Sequence, residues 1–296
     1  MDSDLRDLLI RHWGLTDART ALLGGGMNST TWSVRHGGRA YVAKMVPQSE
    51  LERLRIGCEI AAGLSNVGVR TGPPIPTLDG QLVVAVPPLA LLDFVPGREL
   101  EGRTGLDQEW MADMLARVHR LGGSDHERTI AAGFFPWLRA DAPGARNHAW
   151  LPAAVDRIRA EVDPLMLTHG LTHTDPAPEA FRRDEMLGVT GLIDWTGAQR
   201  GPVLYDIASA VMYLGGRERG ATFLETYRTR GVLSDVELEH LDTLRRFRWA
   251  VQGVYFAGRL HAEDLTGVTA PSDNLRGLAD ARAGLHSLGI DVSRES

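Results

Sequence analysis

The apolar residues of this chain pass from a mainly strand-like to a mainly helical period near residue 96, and that change limits the fold to two parts of different make-up. Before it, "ARTALLGGGMNSTTWSVRHGGRAYVAKMV" (18–46) alternates β-branched and aromatic residues around a Gly-rich turn and a Gly-Gly turn. A period of two bounded by glycines predicts three strands joined by tight turns. "SELERLRIGCEIAAGLSNVGV" (49–69) has helical spacing, and "QLVVAV" and "LALLDFV" read as two further strands. After "PGREL" the period is that of helices, over about 107–122, 149–166, 202–215, 218–230, 234–264 and 273–287. One short β pair interrupts them, "EAFRRDEMLGVTGLIDW" (179–195), with Asp184-Glu185 at its turn; 123–148 reads as loop. The expectation is an α+β, bilobal chain: a β-rich N-lobe over 1–95 and a mainly helical C-lobe over 96–296.

The formal net charge is -6, which disfavours nucleic acid as a partner and suits a cationic small molecule. No apolar run approaches the roughly 20 residues that cross a bilayer, and "MDSDLRDLLI" lacks the basic start and apolar stretch of a signal peptide. Cys58 is the single cysteine, so an intrachain disulfide and a Cys-rich metal site are both excluded. These features predict a cytoplasmic protein with no membrane contact; independently of them, a monomer or homodimer is the expectation for its assembly.

Lysine and arginine total 32, yet Lys44 is the single lysine. A GC-rich genome accounts for the missing lysines, but not for the place of the one that remains, in "AYVAKMV" on the third expected strand. A lysine there, next to a Gly-rich loop, can reach nucleotide phosphates. Glu59, on the following helix, is the anion expected to hold it. In "LGGGMNSTTW" (23–32), Gly25, Gly26, Met27, Asn28 and Ser29 would let backbone N–H groups approach phosphates. No Gly-Lys-Ser/Thr follows, so this is not a Walker A loop.

"LTHTDPAPEAF" (171–181) places His173 and Asp175 on a loop, where the carboxylate can orient a hydroxyl and the His can brace the turn. "GLIDWTGAQRGPVLYDIASAVMY" (191–213) ends an apolar strand in Asp194, as a metal-binding carboxylate requires. Asp206 follows at the start of an apolar helix, as its N-cap or as a brace for the loop. Glu263 and Asp264 close the long helix, where acids oppose the helix dipole and a bound cation would offset them. Trp249, Tyr255 and Phe256 on that helix are either a substrate wall or core.

Taken in order, the Gly-rich loop, "YVAK", Glu59, "ALLDFVPGREL", "ARVH", "HTD", "GLIDW" and "YDIA" resemble the aminoglycoside phosphotransferase family over about residues 20–260. The resemblance implies a protein-kinase-like fold, ATP (or GTP) and Mg²⁺ as cofactors, and a hydroxyl acceptor. By it, Lys44 holds the phosphates, Glu59 holds Lys44, Asp175 is the catalytic base and Asp194 the main metal ligand. Asp93, Phe94 and Val95 become a hinge that reads the base through backbone hydrogen bonds. "GGGMNSTTW", "HTDPAPEAF" and "ASAVMYLGG" narrow the resemblance to members that phosphorylate capreomycin, a cationic cyclic peptide antibiotic. Glu179, Tyr255, Glu263 and Asp264 are then the acidic and aromatic residues to face such a substrate. An aminoglycoside, or a metabolite such as choline, a sugar or homoserine, is the alternative acceptor.

The family's loop reads His-x-Asp-x-x-x-x-Asn, and the Asn position here holds Ala180. Alanine cannot bind metal. Glu179 beside it either takes over as ligand, with a hard oxygen donor, or faces the substrate's ammonium groups. A third possibility is a nucleotide-binding pseudokinase without activity. A metallohydrolase built on His169, His173 and Asp175 is disfavoured, because Gly170, the threonines and Pro176 make a poor helix for a His pair.

Overall fold

Strand-forming residues around paired glycines, and helices ended by glycine or proline, give the chain the following elements in the computed structural model, which describes residues 2–24, 28–128, 133–268 and 270–293. They are α1 (Asp2–Trp13), β1 (Arg19–Leu23), β2 (Thr30–His36), β3 (Arg39–Met45), α2 (Leu51–Asn66), β4 (Val84–Ala85), β5 (Pro88–Asp93), β6 (Arg98–Glu99), α3 (Gly105–Leu121), β7 (Ser124–Arg128), α4 (Trp150–Val162), β8 (Met166–Thr172), β9 (Phe181–Asp184), β10 (Val189–Leu192), β11 (Gln199–Pro202), α5 (Val203–Tyr213), α6 (Ala221–Thr229), α7 (Asp235–Leu238), α8 (Leu241–His261) and α9 (Pro271–Ser287). They form two units, one of 1–100 with 179–198, the other of 101–178 with 199–296.

In the first unit an antiparallel sheet runs in the order β1-β2-β3-β5-β4, so β3 is its middle strand. Leu5, Leu9 and Trp13 of α1 cover one face, against Trp32, Val34, Tyr41, Ala43, Leu89 and Leu91. Leu54 and Cys58 of α2 pack with Val46 and Ala90. Lys44 lies opposite Ala90 in the register, and residues directly opposite share a face, which puts Lys44 on the α2 side. The β9–β10 hairpin joins this unit by pairing with β6, and the Leu192 N–H bonds the Arg70 carbonyl at 2.9 Å. Sequence reading assigned 179–198 to the second lobe; pairing partners distant in sequence draw it to the first unit.

In the second unit α8 is the central helix, packed against α4, α5 and α9. Gly277 and Gly284 of α9 leave room for the rings of Phe256 and Trp249, with no space for a Cβ. Those two aromatics are therefore packing residues between α8 and α9. A three-stranded sheet, β11-β8-β7, carries the loop that follows β8. The expected helix over 149–166 ends at Val162, and Met166–Thr172 is a strand because β7 and β11 pair with it on both sides. The expected helix over 234–264 is two, α7 and α8. Ser234 and Glu237 form a capping box on α7, and Glu237 also accepts the Thr168 N–H of β8.

Candidate active site

The first unit holds a buried cation. Lys44 is 7% exposed, and its Nζ stands 2.5 Å from Asp194 Oδ1. A buried ammonium needs a nearby anion, and the backbone supplies Asp194 at that place. Asp194 sits just past β10 in the left-handed region, at φ 69° and ψ 63°, a conformation that Asp tolerates better than most residues. The next residue, Trp195, is anchored by its indole N–H on Leu192 O at 2.8 Å. Gly57 of α2 lies so close that a Cβ would stand 2.6 Å from the Trp195 carbonyl oxygen. Helix α2 thus seats the turn that presents Asp194.

Glu59 does not hold Lys44 in this structure. It lies on the exposed side of α2 and pairs with Arg55, which also grips Glu52. The inward positions of that helix are Leu54, Gly57, Cys58, Ala61 and Leu64, and burial pushes the Cys58 thiol up to about 12. Helical spacing located Glu59 on α2 but could not fix its rotation about the axis. In the expected hinge, the Asp93 N–H bonds Pro73 O at 2.9 Å and the Phe94 N–H bonds Ala40 O at 3.3 Å. Phe94 is exposed and Val95 buried. Two of the three expected donors to a nucleotide base are therefore engaged within the unit. Of the Gly-rich loop, Gly25, Gly26 and Met27 lie outside the described residues; Asn28 is exposed and Ser29 buried, in the connection from β1 to β2. Ala180 is buried, its carbonyl accepting the Ile193 N–H at 2.9 Å, and Glu179 beside it is exposed.

The second unit holds a braced loop. Asp206 of α5 is fully buried. Its Oδ2 accepts the His173 N–H at 2.7 Å and its Oδ1 the Thr174 N–H at 2.8 Å. His119 of α3 stands 3.1 Å from the same carboxylate and 2.8 Å from the Tyr227 hydroxyl. Asp206 is therefore the loop brace and not the helix cap, which is Pro202. Thr174 is held at φ +72°, a strained conformation for a β-branched residue. Two hydrogen bonds to a buried carboxylate hold the loop at that strained turn, and the turn sets the direction of Asp175.

Asp175 is 61% exposed at its side chain, but one of its oxygens is engaged. Oδ1 accepts the Tyr213 hydroxyl at 2.5 Å and an Arg248 N–H at 3.1 Å. Arg248, from α8, is buried, and Ser209 Oγ and Gln252 Oε1 fix its other nitrogens at 3.0 and 3.4 Å. Burial pushes the guanidinium toward losing its proton; Tyr205, Tyr213 and Asp175 outweigh this and hold it charged above the ordinary arginine value. Sequence reading passed over both Tyr213 and Arg248. A signal existed: Arg248 falls on the apolar stripe Leu241, Leu244, Val251 of α8, where a solvated arginine has no place.

The residues expected near the acceptor have other partners. Arg259 of α8 stacks on the Tyr255 ring and bonds its hydroxyl at 3.2 Å, and pairs with Asp264 at 3.1 Å. Burial raises the Asp264 carboxyl, and the Thr266 N–H and Arg259 outweigh this and lower it. Arg259 thus offsets the acid at the helix end, where a bound cation was expected. Eleven residues separate it from Arg248, ~16 Å along the helix. Glu263 is exposed at φ +53°. His169 lies buried in β8, and among the described residues no three His, Cys, Asp or Glu side chains form a group that could hold a metal.

A family model described as "Phosphotransferase enzyme family" matches residues 19–249. No curated protein matches the chain. Among solved structures, amicoumacin kinase hAmiN in complex with AMP-PNP, Ca²⁺ and Ami is similar at a TM-score of 0.73 and 15% identity, over 100% of this chain and 95% of that one. Choline kinase LicA from Streptococcus pneumoniae is similar at 0.70 and 16%, over 97% and 99%. Aminoglycoside phosphotransferase APH(4)-Ia is similar at 0.69 and 13%, over 99% and 100%. At such identities the likeness shows a shared α+β, kinase-like fold.

Proposed function

The chain belongs to the phosphotransferase enzyme family, and we propose that it moves the γ-phosphoryl group of ATP to a hydroxyl of a cationic small molecule, with a capreomycin-type cyclic peptide antibiotic as the acceptor. The observation that carries this reading is the pair of Lys44 and Asp194. The chain's one lysine is buried in the middle strand of a sheet, against a carboxylate on a strand-end turn. Phosphoryl transfer asks the protein mainly for positioning and charge, and this pair offers a cation for phosphates and an anion for a metal.

Lys44 would hold the nucleotide phosphates, with N–H groups of the loop at Asn28 and Ser29. Val95 remains as a backbone donor for the base. Mg²⁺ suits the donors present, since it takes hard oxygen ligands from one or two carboxylates together with substrate phosphates. Asp194, with Glu179, would hold it, and Mg²⁺ when bound would neutralise charge on the phosphates. Asp175 orients the acceptor hydroxyl. The acceptor oxygen forms a bond to the γ-phosphorus as the bond to the β,γ-bridging oxygen breaks, and that electron pair leaves on ADP. The hydroxyl proton passes to Asp175 and then to solvent.

The acceptor class rests on the resemblance at "GGGMNSTTW", "HTDPAPEAF" and "ASAVMYLGG", and on the net charge of -6. A second reading, a small metabolic amine alcohol, is favoured by the likeness to choline kinase LicA and to a microcompartment-associated aminopropanol kinase. ADP release measured with capreomycin, an aminoglycoside and choline separates the two. Saturable release with capreomycin alone is expected; release with choline alone would replace the first reading by the second. For Glu179, the Ala variant is expected to weaken Mg²⁺-dependent ATP binding. A rise confined to the acceptor KM would move Glu179 from the metal to the substrate.

A further inference from the structure

Asp175 is gripped from one side only. Tyr213 and Arg248 both bond Oδ1, and among the described residues Oδ2 has no hydrogen-bond partner. The grip is stiff. Arg248 is fixed by Ser209 and Gln252 and stacks on the Tyr213 ring at 5.7 Å. Ser209 and Tyr213 both belong to α5, the helix whose Asp206 braces the loop carrying Asp175. One helix therefore fixes the backbone of the loop and, through Tyr213 and Arg248, the rotation of its carboxylate.

We propose that Arg248 and Tyr213 are positioning residues for phosphoryl transfer: they lock Oδ1 of Asp175 so that Oδ2 alone meets the acceptor hydroxyl. This rests on the kinase reading above. An exposed Asp side chain otherwise turns about two torsions, and a hydroxyl presented to a rotating carboxylate loses the in-line geometry that transfer requires. The pairing also works in the other direction. Arg248 is a buried cation, and Asp175 is the carboxylate paired with it among the described residues. The lock is thus maintained by the electrostatic cost of leaving that guanidinium without an anion.

The test is steady-state kinetics of the full chain with ATP, Mg²⁺ and whichever acceptor of the panel is turned over, beside ATP affinity and Tm. Tyr213 is partly exposed at a helix end, so Tyr213→Phe is expected to fold with unchanged Tm. Its kcat should fall about tenfold, with acceptor KM and ATP affinity kept, as for an interaction made in the transition state alone. Arg248→Met should lower kcat by about a hundredfold, and Arg248→Lys, which restores a cation without the planar fork, should recover part of that loss. Wild-type kcat in Tyr213→Phe and Arg248→Lys would overturn the proposal. So would a raised acceptor KM at unchanged kcat, which marks substrate contacts, or losses in kcat that only follow losses in Tm. A wild-type chain that binds ATP and phosphorylates no acceptor would instead overturn the kinase reading, and the positioning role with it.

Discussion

Asp206 shows how much one buried residue can decide. Its carboxylate takes two backbone N–H groups of the loop and faces His119, and it holds Thr174 in a left-handed turn. Asp206→Asn keeps the size but offers one acceptor oxygen and an NH₂ group, so one loop N–H loses its partner. We expect a stability loss of about 1–3 kcal/mol together with a fall in kcat, read by thermal melting and by turnover in parallel; a variant with full turnover would remove Asp206 from the positioning of Asp175. At this scale the sequence was partly legible. Lys44 stood out as the one lysine, and Asp175 and Asp194 through their motifs. Glu59 pairs with Arg55 and not with the expected Lys44: helical spacing gives position along an axis but not rotation against a neighbouring turn. Arg248 was hidden in "RRFRW", where neighbouring arginines on other faces of the helix mask the one that points inward.

At the scale of elements, close backbone contacts carry the arrangement. Gly57 of α2 touches the Trp195 carbonyl with no space for a Cβ. Gly57→Ala raises helix propensity, which alone would stabilise by about 1 kcal/mol. The clash with rigid backbone should reverse the sign, giving a lower Tm and weaker ATP binding through a displaced Asp194. A higher Tm with unchanged ATP binding would show that α2 does not seat that turn. Glu237 ties α7 to β8. Burial raises its carboxyl, but bonds from Thr168 and Ser234 outweigh this, so its folded value is lowered. A lowered carboxyl contributes stability above its unfolded value, near 4.5, and loses it as pH falls through the folded value. The Tm gap between wild type and Glu237→Gln should therefore be widest near neutrality and narrow as pH falls below 4.5 and through the lowered folded value; a gap independent of pH would contradict this. The strands flanking 166–172 explain why this strand is not read from the sequence, where the expected helix runs to 166 and the His173–Asp175 loop opens at 171. Its pairing partners lie at 124–128 and 199–202, and local spacing does not report on them.

At the scale of the whole molecule, the order of elements was the most legible feature. A β-rich first part and a helical second part followed from the change in apolar period, and the matching family covers residues 19–249. The membership of 179–198 in the first unit was not legible, because it depends on β9 pairing with β6 and on Lys44 meeting Asp194. Both contacts join residues far apart in sequence. Among the described residues no helix is long and apolar enough to cross a membrane. The two units divide the proposed chemistry: Lys44 and Asp194 for phosphates and metal in the first, Asp175 with its clamp for the hydroxyl in the second. The central claim is that the chain transfers a phosphoryl group of ATP to a hydroxyl of the acceptor, with Asp175 required for the transfer. Its most direct test is mass spectrometry of capreomycin after incubation with the protein, ATP and Mg²⁺, with Asp175→Ala beside it. The account predicts a product heavier by one phosphoryl group with the wild-type chain and none with the variant. Phosphorylated product from Asp175→Ala at the wild-type rate, or intact ATP and unchanged capreomycin with the wild-type chain, would contradict it.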